Sequence, residues 1–212
     1  MNNTKDIIIK NSEILFREKG YNGTSMREIA AASGIAVGNL CYYFPKKEDL
    51  YYYFYQRLFA TLTEELEPIF SQGYSPWVYF FAREYIIFKK FFVDPVYRKQ
   101  ALDAINIPVF REHYCRDYYL RISTFMQSIN AEYDPEKLLD YSIIVCSSEM
   151  QLFEAHIHEG TEASKNVFNT VMRLQFNISS VTPERQEEVI QQVMDVSEKF
   201  LKAHPDLLTT VS

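Results

Sequence analysis

Cysteine is scarce and poorly placed for a framework. Cys41, Cys115 and Cys146 are three in number, far apart, and no CxxC pair occurs, which excludes a zinc ribbon or a disulfide scaffold. Reduced thiols in a cytoplasmic protein are the expectation. No uncharged apolar run approaches the length of a membrane span. The opening MNNTKDIIIKNSEILF carries charges where a signal peptide needs an apolar core. There is no GxSxG, no glycine-rich phosphate loop, no HExxH and no pair of Glu-x-x-His repeats. An enzyme, a cofactor and a metal centre are therefore not expected. His156 and His158 point to different faces of a helix and cannot share one ion; His156 with Glu159, or Glu154 with His158, are the pairs that could. Strand-period alternation, hairpin turns and internal repeats are missing too.

What is present is apolar, aromatic and helical in period. Of 212 residues 47% are hydrophobic, enough for a real core, and there are 16 Tyr and 16 Phe beside a single Trp. Rings in that number pack a core or line a pocket. The net charge is −6, which argues against coating nucleic acid indiscriminately. Residues 1–50 hold seven basic and six acidic side chains, a net of +1, so the remainder carries −7. The acidity lies outside the first fifty residues, compatible with DNA contact at that end alone.

The spacing predicts a first helix from about Thr4 to Lys19, with Ile7, Ile8, Ser12, Leu15 and Phe16 on one face. Gly20 ends it, and Asn22-Gly23 adds turn chemistry. Ser25 and Glu28 form a capping box for a second helix, whose Met26, Ile29 and Ala30 face a core. Gly34 makes a tight corner before a short third helix, about 36–43, stopped by Phe44-Pro45. A long helix opens at Lys46-Lys47-Glu48-Asp49 and keeps an apolar stripe through Leu50, Phe54, Leu58, Leu62, Leu66 and Ile69 or Phe70, ending near Gln72-Gly73. Further helices are expected over about 75–93, 95–105, 108–130, 136–159, 162–178 and 183–203. Asp134-Pro135 and Thr182-Pro183 read as N-caps.

Two short helices joined by a tight corner form the layout that lays its second helix in the DNA major groove. The stretch Lys19-Gly20-Tyr21-Asn22-Gly23-Thr24-Ser25-Met26-Arg27-Glu28-Ile29-Ala30, then Gly34-Ile35, Asn39-Leu40, Tyr43-Phe44-Pro45, Lys47-Glu48 and Leu50 resembles the tetracycline-repressor family of bacterial transcription regulators. The resemblance covers about the first fifty residues. It implies an all-α fold, with a three-helix helix-turn-helix domain over 1–48 and a helical bundle for ligand binding and dimerisation over 49–212. It further implies a homodimer on a palindromic double-stranded operator, and repression relieved by a small hydrophobic or aromatic effector. The chemistry of the residues points the same way. Arg27 can reach a phosphate or a base, and Gly38 lets the backbone come near DNA. Asn39 suits an adenine edge, and the Val37 methyls suit a thymine methyl. Tyr42 and Tyr43 can donate to phosphates, and Lys47 adds charge at a helix start. Leu40 and Phe44 are core. Where the family commonly has a serine and a basic or polar residue this chain has Ala36-Val37, and Cys41 replaces a usual tyrosine. The lost cap is worth about 1 kcal/mol, and weaker DNA affinity or an unusual operator is expected. An interaction module with a decayed helix-turn-helix is the alternative.

Past residue 75 the rings crowd two segments, Trp77 to Phe92 and Phe110 to Phe125. The family resemblance puts a ligand among such helices. Trp77, Tyr85, Phe88, His113, Tyr118, Arg121, Phe125 and Glu149 are the candidate lining. Glu149 sits in a nearly uncharged run and needs a partner: Arg121, His113, an arginine across a dimer, or a cationic ligand. Phe153, Val189, Val193, Val196 and Phe200 form an apolar seam that either builds half of an intermolecular bundle or closes the monomer's own core. The long helix at 46–72 joins both regions and is the natural lever between ligand and operator.

Overall fold

Caps and prolines punctuate the chain into ten α-helices among the described residues. The computed structural model describes residues 4–70, 73–178 and 181–208, without the side chains of 58, 62, 68–70, 161, 177 and 178. The helices are α1 (Thr4–Lys19), α2 (Met26–Ala32), α3 (Val37–Tyr43), α4 (Lys47–Phe70) and α5 (Pro76–Val93), then α6 (Pro95–Ile105), α7 (Pro108–Ser128), α8 (Pro135–His156), α9 (Thr161–Ile178) and α10 (Pro183–Ala203). A 3-10 turn follows at Pro205–Leu208. Prolines open α5, α6, α7, α8 and α10, where a missing backbone N–H costs nothing. Asp134 caps α8 as expected, its carboxylate accepting from the N–H groups of Glu136 and Lys137. Thr182 does not act as expected: it holds the N-cap position of α10, but its hydroxyl makes no cap hydrogen bond. Of the stripe expected along α4, Leu50, Phe54 and Leu66 are buried, while the side chains of Leu58, Leu62, Ile69 and Phe70 lie outside the described residues.

The helices gather into two compact units. One is Met1–Leu62 with Lys99–Arg111; the other is Thr63–Arg98 with Glu112–Ser212. The first unit therefore reaches beyond residue 48. Its core is Ile8, Phe16, Ile29, Leu40, Leu50 and Tyr51, each 0 or 1% exposed. Aromatic edges continue that core. Tyr51 meets Phe16 at 4.9 Å and Tyr21 at 5.0 Å, and Tyr55 meets Phe110 at 4.8 Å. The Tyr51 hydroxyl donates to the Gln100 carbonyl at 2.7 Å, so a buried polar tip is satisfied.

Asp103 ties the same unit together at a turn. Its carboxylate accepts from the Tyr21 N–H at 2.9 Å and the Asn22 amide at 3.2 Å. Gly20 has φ +76°, and a Cβ there would fall 2.6 Å from Asp103 Oδ2. Glycine is needed twice over, for the left-handed backbone and for the close approach. Thr24 is buried below the turn, donating to the Gly20 carbonyl at 2.8 Å.

In the second unit α5 packs against α9 and α10, and α8 packs against α9. Phe81 meets Phe176 at 4.9 Å, Tyr85 meets Phe168 at 5.2 Å, and Phe92 meets Phe153 at 5.0 Å. Buried charges on α5 are answered. Lys89 Nζ lies 2.6 Å from Glu198 Oε1, to which the Tyr85 hydroxyl also donates at 3.0 Å. Lys90 donates to the Leu207 carbonyl at 2.6 Å and stands over the Tyr97 ring. Burial pushes the Glu198 carboxyl up, but the Lys89 ammonium outweighs it and holds the group below the ordinary carboxylate value.

The intermolecular seam expected from the sequence is largely used inside the chain. Phe153, Val189, Val193 and Phe200 are buried in the single chain, and Val196 is half-buried. The apolar face of α10 is turned onto the chain's own helices. The apolar residues that α8 does leave exposed are Leu139, Ile143 and Ile144. No helix among the described residues is long and apolar enough to cross a membrane.

Candidate nucleic-acid interface and helical pocket

The corner between α2 and α3 is built from local signals. Ser25 Oγ accepts from the Glu28 N–H at 3.2 Å, and the Glu28 carboxylate accepts from the Ser25 N–H at 2.9 Å. The capping box is complete. Glu28 also pairs with Lys19 at 2.7 Å; these hydrogen bonds, Lys19's first, lower its carboxyl to about 2. Gly34 takes φ +67°, and the N–H groups of Gly34 and Ile35 close the end of α2 on the carbonyls of Ala31 and Ala30. A Cβ on Gly34 would meet nothing within 4 Å, so the backbone angle alone calls for glycine here.

The third helix then starts without a side-chain cap. Ala36 holds the N-cap position with extended backbone and no side-chain hydrogen bond, the departure visible in the sequence. Only Leu40 faces inward, with 0% exposure. The outward surface is Val37 at 38%, Gly38, Asn39, and Tyr42 at 82% exposure. A Cβ built on Gly38 meets no atom within 4 Å, so nothing inside the chain requires glycine there. Tyr42 and Tyr43 meet edge to face at 5.4 Å, with Tyr43 half-buried. Arg27 is exposed on α2.

Lys47 departs from the sequence reading. Its ammonium donates to the carbonyls of Tyr21 and Thr24 at 2.9 and 3.0 Å, and stands 3.8 Å from the Tyr21 ring centre. It clamps the α1–α2 turn to the start of α4 instead of reaching outward. Burial and the Glu48 charge raise the Tyr21 hydroxyl to about 12, so that ring stays neutral beside the cation. Neighbouring Lys46 is exposed.

In the second unit, a cavity of about 400 Å³ opens between α5 and α7, with Pro76, Tyr79, Phe80, Arg83, Leu120, Arg121, Thr124, Phe125 and Ser128 around it. That size lies within the range of small-molecule sites. Of the side chains expected to meet a ligand, Arg121 and Phe125 line it. Trp77 stacks its edge on Phe125 at 4.8 Å. Tyr85 and Phe88 are core groups instead, Tyr85 bound to Glu198 and Phe88 packed on Phe92 and Phe168. His113 lies 2.8 Å from an Arg116 guanidinium nitrogen.

Glu149 accepts from the Tyr114 hydroxyl at 3.1 Å. Burial and the Glu84 charge push its carboxyl up to about 7, against the pull of Tyr114 and Arg121. Tyr118 is raised by burial, then by Cys146 and Glu84. Cys146 is raised by burial and by a hydrogen bond with Cys115, which favours an inert thiol at Cys146. His156 Nδ1 lies 3.0 Å from Glu159, so of the two pairs considered for a metal this one meets directly. Among the described residues no group of three or more His, Cys, Asp or Glu is placed to hold a metal ion.

Sequence reasoning missed three residues. Asp103 gave no local sign, because its partners lie some eighty positions earlier. Arg83 and Glu84 did leave one: they are a charged pair inside the aromatic run of α5, ahead of Lys89 and Lys90.

Comparison with known proteins agrees with this geometry. Residues 8–54, from α1 into α4, match the family described as bacterial regulatory proteins, tetR family. The probable HTH-type transcriptional regulator YttP of Bacillus subtilis (strain 168) is 39% identical over 72 residues, which are 34% of this chain and 29% of that protein. The biofilm operon icaADBC HTH-type negative transcriptional regulator IcaR of Staphylococcus aureus (strain Newman) is 30% identical over 142 residues, covering 63% of this chain and 72% of IcaR. A crystallised gamma-butyrolactone receptor (ArpA like protein) superposes with a TM-score of 0.47 and 17% identity, over 92% of this chain and 97% of the other. The capped corner before α3 and the span shared with IcaR lead to one conclusion: the chain belongs to the tetR family of bacterial regulatory proteins and is a DNA-binding transcriptional regulator.

Proposed function

We propose that the chain acts as a homodimeric repressor, whose hold on a palindromic operator is loosened by a small, largely apolar effector lodged between α5 and α7. The observation that carries the DNA half is the outward face of α3. A helix with one buried residue, Leu40, and a surface of Val37, Gly38, Asn39 and Tyr42 has been kept clear of its own fold. Asn39 suits an adenine edge and Val37 a thymine methyl, while Tyr42 and Arg27 suit phosphates. Lys47 leaves this list, because its donors serve the Tyr21 and Thr24 carbonyls.

Dimerisation is assigned to α8 in place of the buried α10 seam. Leu139 and Ile143 stand one turn apart and Ile144 adjoins them, all exposed. A second copy meeting them would bury a continuous apolar strip. Two recognition helices must then stand about 34–36 Å apart to enter successive major grooves. Whatever factor the effector takes from operator affinity, the operator must take from effector affinity.

The test is a gel shift with the chain's own promoter region across a salt series. Binding that falls steeply with salt supports phosphate contact. Asn39→Ala should change sequence preference, and Tyr42→Phe should weaken all sequences alike. If neither variant nor salt alters binding, the interface is wrong. Absence of any shift at every salt concentration would sink the reading.

A further inference from the structure

Two thiols meet where α7 lies beside α8. The Tyr114 hydroxyl donates to Glu149 at 3.1 Å, which sets the two helices side by side at that level. Cys115 follows Tyr114 on α7, and Cys146 lies one turn before Glu149, on the same face of α8. Tyr118, one turn beyond Cys115, is buried and close enough to Cys146 and Glu149 to interact with their charges. The two sulfurs share a hydrogen bond. Both are reduced, and they differ in access. Cys146 is 0% exposed and Cys115 is half-buried. A small oxidant arriving from water therefore meets Cys115, and Cys146 is reached through Cys115. The remaining cysteine, Cys41, belongs to the first unit.

We propose that Cys115 and Cys146 are a peroxide-responsive dithiol, which closes into a disulfide between α7 and α8. In the first step the Cys115 sulfur attacks one oxygen of hydrogen peroxide. An S–O bond forms, the O–O bond breaks, and the departing hydroxide leaves as water with the thiol proton. Cys115 is then a sulfenic acid, oxidised by two electrons, and the peroxide is reduced. In the second step the Cys146 sulfur attacks that of Cys115. The S–S bond forms, the S–O bond breaks, and hydroxide leaves with the Cys146 proton as a second water. Two thiols and one peroxide have become one disulfide and two waters. Burial keeps Cys146 protonated and slow toward reagents in bulk solution. That suits a resolving partner, which acts on a sulfenic acid held against it. The sulfurs of a disulfide stand about 2.05 Å apart, closer than hydrogen-bonded thiols, so closure draws α7 and α8 together. Leu120, Arg121, Thr124 and Phe125 of α7 line the cavity. Oxidation thus acts on a wall of that cavity and needs no ligand in it.

The full chain is reduced, freed of reductant and treated with hydrogen peroxide, and its peptides are mapped by mass spectrometry without reduction. A disulfide joining Cys115 to Cys146 within one chain is expected, with both thiols restored by dithiothreitol. Cys146→Ser should halt the reaction at a Cys115 sulfenic acid, which dimedone traps. Cys115→Ser should leave Cys146 reduced at the same dose. The proposal is overturned if Cys146 is oxidised as readily in Cys115→Ser, or if Cys115 of the unaltered chain passes to sulfinic acid while Cys146 stays reduced. It also falls if the disulfide joins two chains, or forms only after denaturation. The map of the unaltered chain decides the matter should a variant fail to fold. A regulatory use rests on the operator-binding reading above and is read apart, by gel shift of the oxidised and the reduced chain. A change in operator affinity of threefold or more, reversed by dithiothreitol, is expected. A disulfide that forms with affinity unchanged upholds the dithiol and removes its regulatory use. Absence of any shift by the reduced chain sinks the operator reading and leaves the mapped disulfide standing.

Discussion

The two units place their chemistry on opposite sides of the same kind of surface. In the first unit, α3 buries one residue and presents the rest, so the groups proposed to act are those the fold does not use. In the second, the cavity proposed to take an effector lies between packed helices, and Arg83 and Arg121 on its wall are nearly enclosed and engaged with Glu84. An outward site needs a rigid small scaffold behind it. An inward site needs space left within a packed one. Mutations should therefore separate fold from function in the first unit and entangle them in the second.

The largest effect tests the scaffold side of that comparison. Leu40→Ala empties the only buried position of α3 and should cost about 2–5 kcal/mol, read as a drop in denaturant midpoint, with operator binding lost alongside. Had the helix been held by its exposed face, the change would be small.

Next is pH, which tests the enclosed side. The Glu149 carboxyl is raised from 4.5 to about 7 in the folded chain. The folded state then binds a proton more tightly than the unfolded one, so stability is greatest at low pH and falls as pH rises between those values. Each unit in that window costs up to about 1.4 kcal/mol. Glu149→Gln should flatten that slope in melts taken from pH 4.5 to 7.5. A slope unchanged in the variant would remove Glu149 as its source.

Legibility divides along the same line. The helix ends, the capping box at Ser25 and Glu28, the corner at Gly34 and the stop at Pro45 are written within a few residues of where they act. Leu40 inward with Val37 and Asn39 outward follows from one helical turn. The hydrogen bonds of Lys47 were not legible, because their acceptors, the Tyr21 and Thr24 carbonyls, lie across a turn that periodicity does not describe. The seam of α10 was legible as apolar, but an apolar stripe does not state whether its own chain or a partner will cover it. In the second unit Arg121 and Phe125 line the cavity, while Tyr85 and Phe88 pack into the core: rings all round a helix carry no mark of which one meets a void. Arg83 and Glu84 went unread although they break the same kind of apolar run that drew attention to Glu149.

Asp103 offers a middle-sized test of how far the first unit extends. Asp103→Ala removes two hydrogen bonds from the turn at Tyr21 and Asn22 and should cost about 1–2 kcal/mol in thermal or chemical unfolding. No loss would mean that the turn stands without α6. The smallest effect has the opposite sign. Ala36→Ser restores a cap to α3 and should add about 0.5–1 kcal/mol, with helix protection from hydrogen exchange rising in α3 alone.

Gly38 lies mid-turn in an exposed helix with open space where a methyl would go. An alanine in its place would stiffen the backbone and make the isolated chain sturdier. Nothing within the lone molecule calls for its absence of a side chain; a neighbour brought against this helix, close enough to be hindered by one carbon atom, would.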